Sequence, residues 1–370
     1  MDKIINALGL MSGTSMDGID ASIISSDGEN SIDIIGNSYL KYDSELKNSL
    51  KEFCEKINSK KDLKLNISEF LKLEREITIK HSELSSKMFK EHKSKVDIVG
   101  FHGQTIIHRP KDNYSIQMGN GKLLSQLLNK NVIYQFREKD IENGGEGAPL
   151  TPIYHHFIKK KLNLNKPVLF LNIGGISNCT YSNNDNFIAK DVGPGNCLMD
   201  MFIKKKLKKN YDKNGDLASS GKIDNVLVNN FLEHEIYTNN KNSYDIRDFD
   251  INFVRGLSIE DSLANLNYFT AKFITENIKK NFKENYSIIL CGGGRKNKTL
   301  VNNLKKLLNI SISNIDEYNI DGDFIESQAF AYLSIRSLYN KPISFPNTTG
   351  VKKPTSGGKL IVKLEREQIL

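Results

Sequence analysis

The feature that most constrains the fold is an order of predicted elements that occurs twice along the chain. Residues 4–11 and 167–172 are both apolar runs typical of buried strands, and each run leads into a turn rich in glycine. After each turn the pattern continues as strand, strand and helix. The two halves are not sequence repeats, but the shared order predicts two similar α/β domains that face each other across a central cleft.

Period-two and helical spacings of apolar residues predict the individual elements. Leu46, Leu50, Phe53 and Ile57, for example, recur at helical spacing. His81 falls on the apolar stripe of the next helix, which favours a packed core histidine over a catalytic one. The predicted strands are 4–11, 20–25, 31–35, 96–101, 167–172, 177–181, 186–189 and 287–290, and the predicted helices are 46–57, 70–88, 153–162, 198–207, 223–232, 258–280 and 324–338.

Length and composition agree with two domains. The chain has 370 residues, which is more than one core usually supports, and 38% of them are hydrophobic. We expect a first domain over 1–131 plus 340–370 and a second over 132–339. No run of about 18 apolar residues predicts a membrane span. Residues 1–4 lack the pattern of a signal peptide, so we expect a cytoplasmic protein that binds no membrane.

The net charge of +8 raises the question of nucleic acid. Lysine is spread along the whole chain, and the one dense run, 204–209, lies on a predicted amphipathic helix. A solvated helix face is favoured there over a patch for phosphate backbones, so no nucleic-acid partner is expected. The four cysteines have no metal-binding spacing, which favours small buried residues in a reducing compartment.

The first turn, Gly13-Thr14-Ser15-Met16-Asp17-Gly18, has the groups that bind a nucleotide phosphate. Backbone N–H groups in a tight turn and hydroxyl side chains are donors to phosphate oxygens. Asp17 would repel a phosphate directly, but it can hold a magnesium ion that bridges to one. The turn is not a P-loop, because it lacks Gly-Lys-Ser/Thr and leads into a strand. A plain hairpin with polar turn residues remains the alternative.

Two later glycine turns stand at comparable positions. Gly174-Gly175 follows the first strand of the second half, and its glycines allow close approach of a ligand to the backbone. Gly292-Gly293-Gly294 comes after a buried strand and before a helix, where an adenine and ribose can lie flat on the chain. Three such turns at strand ends indicate a nucleotide site more strongly than any one of them.

Polar residues near other strand ends are candidates for chemistry. Asp191 precedes Gly193-Pro194-Gly195-Asn196, so we expect it where a strand breaks into a helix, and a carboxylate there can take a proton from water or a hydroxyl. A helix N-cap is its alternative role. His102 and Gln104 follow the predicted strand 96–101 and have hydrogen-bonding groups suited to a sugar, although a structural histidine is the alternative for His102.

These motifs, in this order, resemble the anhydro-N-acetylmuramic acid kinase family over nearly the whole chain. Two positions depart from the family's pattern: Val192 stands where threonine is usual, and Gly350-Val351 where Gly-Ala is usual. The matching motifs are Gly13–Gly18, Phe101-His102-Gly103-Gln104-Thr105, Phe136-Arg137 with Asp140-Ile141, Gly145–Leu150, Asn172–Asn178, Asp191–Asn196, Cys291–Gly294, and Asp321–Glu326 with Ala329-Phe330-Ala331.

The resemblance implies two ribonuclease H-like (actin-like ATPase) domains around a central cleft. It implies that 1,6-anhydro-N-acetylmuramic acid, water and ATP become N-acetylmuramic acid 6-phosphate and ADP during recycling of cell wall, with Mg²⁺ as cofactor and a homodimer as assembly. It also implies site residues. Asp191 would be the catalytic base; ATP and magnesium would bind at Gly13, Thr14, Ser15, Met16, Asp17, Gly18, Ile19, Asp20, Gly174 and Gly175, with Gly292, Gly293 and Gly294 beside the adenosine; the sugar would bind at His102, Gln104, Arg137 and Glu326.

The chemistry of an anhydro sugar suggests why one carboxylate suffices. O6 is closed into the ring, so we hypothesise that Asp191 takes a proton from water, water attacks the anomeric carbon, and the released O6 attacks the γ-phosphorus. Two other functions stay open. One is a sugar kinase in which Asp191 deprotonates an ordinary hydroxyl. The other is a non-enzymatic actin- or chaperone-like ATPase switch.

Overall fold

The computed structural model describes residues 3–93, 95–233, 244, 246–283 and 285–363. The chain divides into two compact units, and we call Met1–Lys161 with Phe324–Leu370 the first unit and Leu162–Asp323 the second unit. The sequence-based limits, 1–131 plus 340–370 and 132–339, differ from these. Residues 131–134 form a strand of the first sheet, and the helix over 325–338 packs on that sheet, so both segments belong to the first unit.

Twelve strands form in the described residues, and most of them agree with the predicted ones. The strand predicted over 96–101 is longer than expected and continues to Arg109. The strands are β1 Ile5–Ser12, β2 Gly18–Ser26, β3 Ile32–Lys41, β4 Ile98–Arg109, β5 Tyr114–Met118, β6 Asn131–Tyr134, β7 Val168–Ile173, β8 Ile176–Ser182, β9 Phe187–Pro194, β10 Ser287–Cys291, β11 Ile312–Asn314 and β12 Lys359–Ile361.

The helices include those predicted from apolar spacing. Several begin at side-chain caps, such as Asp43, which accepts a hydrogen bond from the backbone N–H of Leu46. The helices are α1 Ser44–Lys56, α2 Lys60–Leu65, α3 Ile67–His92, α4 Gly121–Leu128, α5 Glu138–Glu142, α6 Pro152–Lys161, α7 Cys197–Leu207, α8 Asp216–Ser220, α9 Asn225–Leu232, α10 Ile259–Asn281, α11 Lys298–Leu308, α12 Ile325–Leu338 and α13 Pro346–Thr349.

The two units share one sheet topology. In the first unit, β1 pairs antiparallel with β2 and parallel with β4, while β3 and β6 extend the sheet on either side. In the second unit, β7, β8, β9, β10 and β11 repeat these pairings and directions. The first sheet adds β5 and β12. The shared part of the first sheet therefore has the spatial order β3-β2-β1-β4-β6, and the second sheet has the equivalent order β9-β8-β7-β10-β11. The expected pair of similar α/β domains is confirmed.

Each unit has its own hydrophobic core. In the first unit, β1, β2 and β4 pack against α1, α3 and α4 through buried aliphatic side chains. On the other side, α12 lies close to the sheet, and a Cβ at Gly9 would stand 1.9 Å from the Ser327 carbonyl oxygen. In the second unit, the sheet packs on α7, α10 and α11. These cores hold the strand ends, where the glycine turns lie, in fixed positions.

Three minor expectations are confirmed. His81 is completely buried in α3, as its place on the apolar stripe predicts. Lys204, Lys205 and Lys206 are exposed on α7, as expected of a solvated helix face. All four cysteines are free; Cys179, Cys197 and Cys291 are buried and Cys54 is partly buried. None of the helices in the described residues is long and apolar enough to cross a membrane.

Candidate functional site

The turn between β1 and β2 is fixed by side chains behind it. The Ser12 hydroxyl donates a hydrogen bond to Gln104 Oε1 at 2.7 Å, and Gln104 Nε2 donates to the Gly13 carbonyl at 3.1 Å. Within the turn, the Met16 N–H donates to the Gly13 carbonyl at 3.1 Å, and Met16 has φ of 54°. Ser12 and Gln104 thus hold the turn from the interior and leave its backbone available to a ligand.

Asp17 occupies the end of this turn. Its carbonyl oxygen accepts from the Tyr42 N–H at 2.9 Å and from the Tyr39 hydroxyl at 3.0 Å, so the backbone is anchored. Its carboxylate is 48% exposed and pairs with the Lys47 ammonium group on α1. The position therefore accepts a cation. Among the described residues, no cluster of three or more histidine, cysteine or acidic side chains is suited to a metal ion.

The candidate sugar residues of the first unit fall into two kinds. His102 and Gln104 are buried and bonded within the protein. His102 Nδ1 donates to the Gly103 carbonyl at 2.8 Å, and its Nε2 accepts from Arg137 Nη2 at 2.9 Å. Burial and the adjacent Arg137 charge hold the pKa of His102 well below its usual value, so the ring is neutral. His102 thereby orients Arg137.

Arg137 and Glu326 form the charged part of this region. Arg137 Nη1 donates to the Gly147 carbonyl at 2.6 Å, and burial lowers the pKa of Arg137 to about 10 although Glu326 acts in the opposite direction. Burial raises the pKa of Glu326, and Arg137 moderates that rise. The structure thus brings Arg137, His102 and Glu326 together, while Gln104 belongs to the turn at Gly13.

The turn between β7 and β8 is held by backbone hydrogen bonds. The Gly195 N–H donates to the Gly175 carbonyl at 2.8 Å, and the Asn196 N–H donates to the Gly174 carbonyl at 2.8 Å. The segment leading into α7 is therefore hydrogen-bonded to the Gly174-Gly175 turn. A Cβ at Gly195 would lie 2.2 Å from the Gly174 carbonyl oxygen, so this close approach requires glycine.

Asp191 lies within β9 and not at the break between strand and helix, which corrects the sequence-based placement. The break comes later because Gly193 and Pro194 still pair with β8, and Asn196 is the N-cap of α7. A helix-cap role for Asp191 is therefore excluded. Its Oδ2 accepts a hydrogen bond from the Tyr244 N–H at 3.0 Å. The β8–β9 register shifts beside Asp191, a bulge of the kind that re-aims a side chain.

Val192, where the resemblance leads us to expect threonine, is completely buried in the core of the second unit. Its side chain packs among aliphatic and aromatic groups such as Leu171 and Phe273. Loss of a hydroxyl at this position therefore adds apolar surface to the core and leaves the Asp191 carboxylate in place.

The turn after β10 borders a cavity of about 290 Å³. Gly293 and Lys296 form one wall, and the remaining wall is mostly polar; of its residues, sequence analysis named only Asn196, as part of the motif after Asp191. Their only sequence signal is that Asn196 and Asn297 immediately follow predicted turns. The residues concerned are Asn196, Met199, Asp200, Tyr211, Asp212, Asn214 and Asn297.

The glycines in these turns differ from the others in the molecule. All 26 glycines lie in described residues. At 22 of them an added Cβ would either come closer than 3.4 Å to another atom or sit on a backbone with positive φ. The four exceptions are Gly13, Gly174, Gly175 and Gly293, where the nearest atom is at 3.4 Å or beyond. The fold itself does not require glycine at these four positions.

Comparisons with known proteins identify the family. The chain matches the family model described as anhydro-N-acetylmuramic acid kinase over residues 5–363. The anhydro-N-acetylmuramic acid kinase of Pelagibacter ubique (strain HTCC1062) is 50% identical over 98% of this chain and 99% of that protein. The kinase of the same name from Brucella canis is 36% identical over 97% of this chain and 99% of its own length.

Solved structures give distant matches. An activator of 2-hydroxyisocaproyl-CoA dehydratase from Clostridium difficile, with bound ADPNP, has a TM-score of 0.44 at 12% identity and covers 90% of this chain and 97% of its own. The ROK hexokinase from Thermus thermophilus has a TM-score of 0.36 at 10% identity, with 90% and 99% covered. From the family model and the curated relatives, the chain belongs to the anhydro-N-acetylmuramic acid kinase family.

Proposed function

We propose that this protein is an ATP-dependent kinase that opens 1,6-anhydro-N-acetylmuramic acid with water and phosphorylates O6, giving N-acetylmuramic acid 6-phosphate and ADP. The observation that carries the proposal, through its nucleotide site, is that the fold does not require glycine at Gly13, Gly174, Gly175 and Gly293. A glycine that is not required by φ or by packing costs stability, so its absent side chain serves an approaching ligand. All four lie in the three turns where nucleotide binding is expected.

In this proposal the ATP phosphates lie on the Gly13–Asp20 segment and on Gly174-Gly175. Free N–H groups and the hydroxyls of Thr14 and Ser15 supply donors. The adenosine lies along Gly292-Gly293-Gly294, with the cavity beside Gly293 as the space for it. Gly293→Ala tests the adenosine position directly, because the added Cβ has no other atom within 4 Å and would occupy only space in the cavity beside Gly293. The variant should keep its melting temperature and lose affinity for ATP.

Magnesium fits the Asp17 position. The carboxylate is half exposed and already faces one cation, the Lys47 ammonium group. Mg²⁺ usually takes one or two protein carboxylates and keeps several waters, which suits a single acidic residue. Asp17 would hold the ion, which neutralises charge on the phosphates when bound. Asp17→Asn should weaken Mg²⁺-dependent ATP binding, measured by calorimetry at several Mg²⁺ concentrations, while ADP binding without metal persists.

For the sugar we propose Arg137 and Glu326 as direct contacts, with His102 and Gln104 acting behind them. His102 orients Arg137, and Gln104 fixes the Gly13 turn. Asp191 takes a proton from water as the water oxygen bonds to the anomeric carbon. The bond from that carbon to O6 breaks, and O6 bonds to the γ-phosphorus as ADP leaves. Attack from the face opposite O6 predicts inversion at the anomeric carbon.

The test is the reaction in oxygen-18 water with anhydro-N-acetylmuramic acid and ATP, read at once by mass spectrometry. We expect the label on the anomeric carbon and none on the phosphate. Label on phosphate, or a phosphorylated sugar with its anhydro ring intact, contradicts the mechanism. Turnover of N-acetylmuramic acid but not of its anhydro form supports the ordinary sugar-kinase alternative. ATP hydrolysis at a rate that no added sugar changes supports the ATPase switch.

We further propose that the enzyme acts in the cytoplasm as a homodimer.

A further inference from the structure

Arg295 follows the Gly292-Gly293-Gly294 turn and is buried, with 5% of its surface exposed. Its guanidinium group makes a side-on pair with one carboxylate: Nε donates to Asp316 Oδ2 at 2.8 Å and Nη2 donates to Asp316 Oδ1 at 3.1 Å. Nη1 donates to Asp323 Oδ1 at 2.6 Å. Bidentate pairs of this kind fix both distance and orientation, and lysine cannot reproduce them.

The same guanidinium group holds the glycine turn. Nη1 donates to the Gly292 carbonyl at 3.1 Å, and the Arg295 backbone N–H donates to that oxygen at 3.2 Å. Gly322 leaves room for the arrangement, because a Cβ there would lie 2.4 Å from Arg295 Nε. The cavity lies beside Gly293 and Lys296, and Gly293 has no atom near its absent side chain. Arg295 therefore anchors the turn from behind, while the Gly293 side of the turn faces the cavity.

Arg295 also compensates negative charge. Asp316, Asp321 and Asp323 all lie within 3.6 Å of its guanidinium nitrogens. Burial works to raise the pKa of Asp316, but the hydrogen bonds from Arg295 and Gly322 outweigh it and keep the pKa below its usual value, so this carboxyl is ionised. Lys296 forms an ion pair with Asp323 and, more weakly than Arg295, favours the ionised form of Asp316. Without Arg295, poorly compensated carboxylates would stand behind a turn proposed to lie beside the adenosine of a negatively charged nucleotide.

We propose that Arg295 is a positioning residue for nucleotide binding, which sets the shape of the Gly292-Gly293-Gly294 turn and neutralises the carboxylates behind it. The inference rests on the proposed function, because it assumes that this turn contacts ATP. Arg295 itself points away from the cavity wall and into the acidic cluster, so it acts through the turn and not by touching the nucleotide.

The test measures ADP and ATP affinity by calorimetry and the Michaelis constants for both substrates. Arg295→Met should raise the Kd for nucleotide about 10- to 100-fold, as expected when a charge-assisted hydrogen bond is lost, with the KM for sugar unchanged. Arg295→Lys should recover only part of the affinity. Arg336→Met is the matched control, because Arg336 is also buried and donates to a glycine carbonyl, that of Gly28 at 2.8 Å.

The control should lose stability without any change in nucleotide Kd. A folded Arg295→Met protein that binds nucleotide as tightly as the wild type overturns the inference. A rise in KM for both substrates together indicates a general structural role and also overturns it. If Arg295→Met does not fold, Arg295→Lys, which keeps the positive charge but cannot make the bidentate pair with Asp316, should still raise the nucleotide Kd, and an unchanged Kd overturns the inference. Wild-type protein that binds no nucleotide refutes the proposed function and the inference with it.

Discussion

The two equivalent hairpin turns are supported in opposite ways. The first, at Gly13, is held by side chains: Ser12 and Gln104 bond to each other and to the turn. The second, at Gly174-Gly175, is held by the backbone of the segment that follows β9. The same topology therefore gives one turn supported largely by side chains and one supported largely by backbone, to which the Asn196 side chain adds a hydrogen bond to the Gly174 carbonyl at 3.2 Å. Substitutions at Gly195 and Gln104 test this difference.

The largest effect is expected at Asp191, which is positioned by the backbone N–H of Tyr244. Asp191→Asn keeps the size of the side chain and an oxygen for that bond but removes the base. The rate should fall about 10²–10⁴-fold, the usual contribution of a general base, while ATP affinity is retained. Steady-state kinetics and calorimetry measure the two quantities. Asp185→Asn, in the exposed β8–β9 turn, is the control and should leave the rate unchanged.

The backbone-held turn is tested next by Gly195→Ala. The added Cβ would meet the Gly174 carbonyl, and since backbone cannot easily move aside, the free energy of unfolding should fall by about 3 kcal/mol. Gly175→Ala has its nearest neighbour at 3.6 Å, so it should keep full stability and lose only ATP affinity. Denaturation and binding measurements that fail to separate these variants would contradict the assigned roles.

The side-chain-held turn is tested by Gln104→Leu. The substitution removes both hydrogen bonds and leaves the Ser12 hydroxyl and Gly13 carbonyl without these partners, so the free energy of unfolding should fall by about 1–2 kcal/mol. The KM for ATP should rise because the turn is released, whereas sugar affinity should change less. An equal rise for both substrates would indicate that Gln104 also contacts the sugar. Gln126→Leu, on an exposed face of α4, is the control.

Acid should also destabilise the first unit. Burial lowers the pKa of His81 and of His155 to about 4, whereas an unfolded histidine titrates near 6.5. Between those values the unfolded state binds protons that the folded state does not, so stability falls as pH decreases from 6.5 toward 4. The second unit has no histidine among its described residues.

Hydrogen exchange, corrected for intrinsic rates, should show the acid effect. Peptides of the first unit should lose protection between pH 7 and pH 5 more than peptides of the second unit. His81→Gln should reduce the difference. Equal loss in both units would show that carboxylates, which both units contain, dominate the acid response.

Local patterns predicted most of the strands, about half of the helices and the three glycine turns, because period and turn chemistry depend on neighbouring residues. The role of Gln104 was not predictable, since its partners Ser12 and Gly13 lie about ninety residues away along the chain. Similarly, Arg295 depends on Asp316 and Asp323, which only the folded chain brings to it. The limits of the units differ from the expected ones because β6 pairs with β4, and α12 packs on β1 and β2 from the far end of the chain.

The division of the chain has a consequence for synthesis on the ribosome. The second unit, Leu162–Asp323, is one uninterrupted segment, whereas the first unit contains α12 and β12 from after residue 323. The later part of the chain can therefore acquire its native form earlier, while the amino-terminal sheet waits for the helix that covers Gly9. We predict that a nascent chain stalled with residue 323 outside the exit tunnel resists protease over 162–323 and is cleaved within 1–161. Equal protection of both segments would contradict this order.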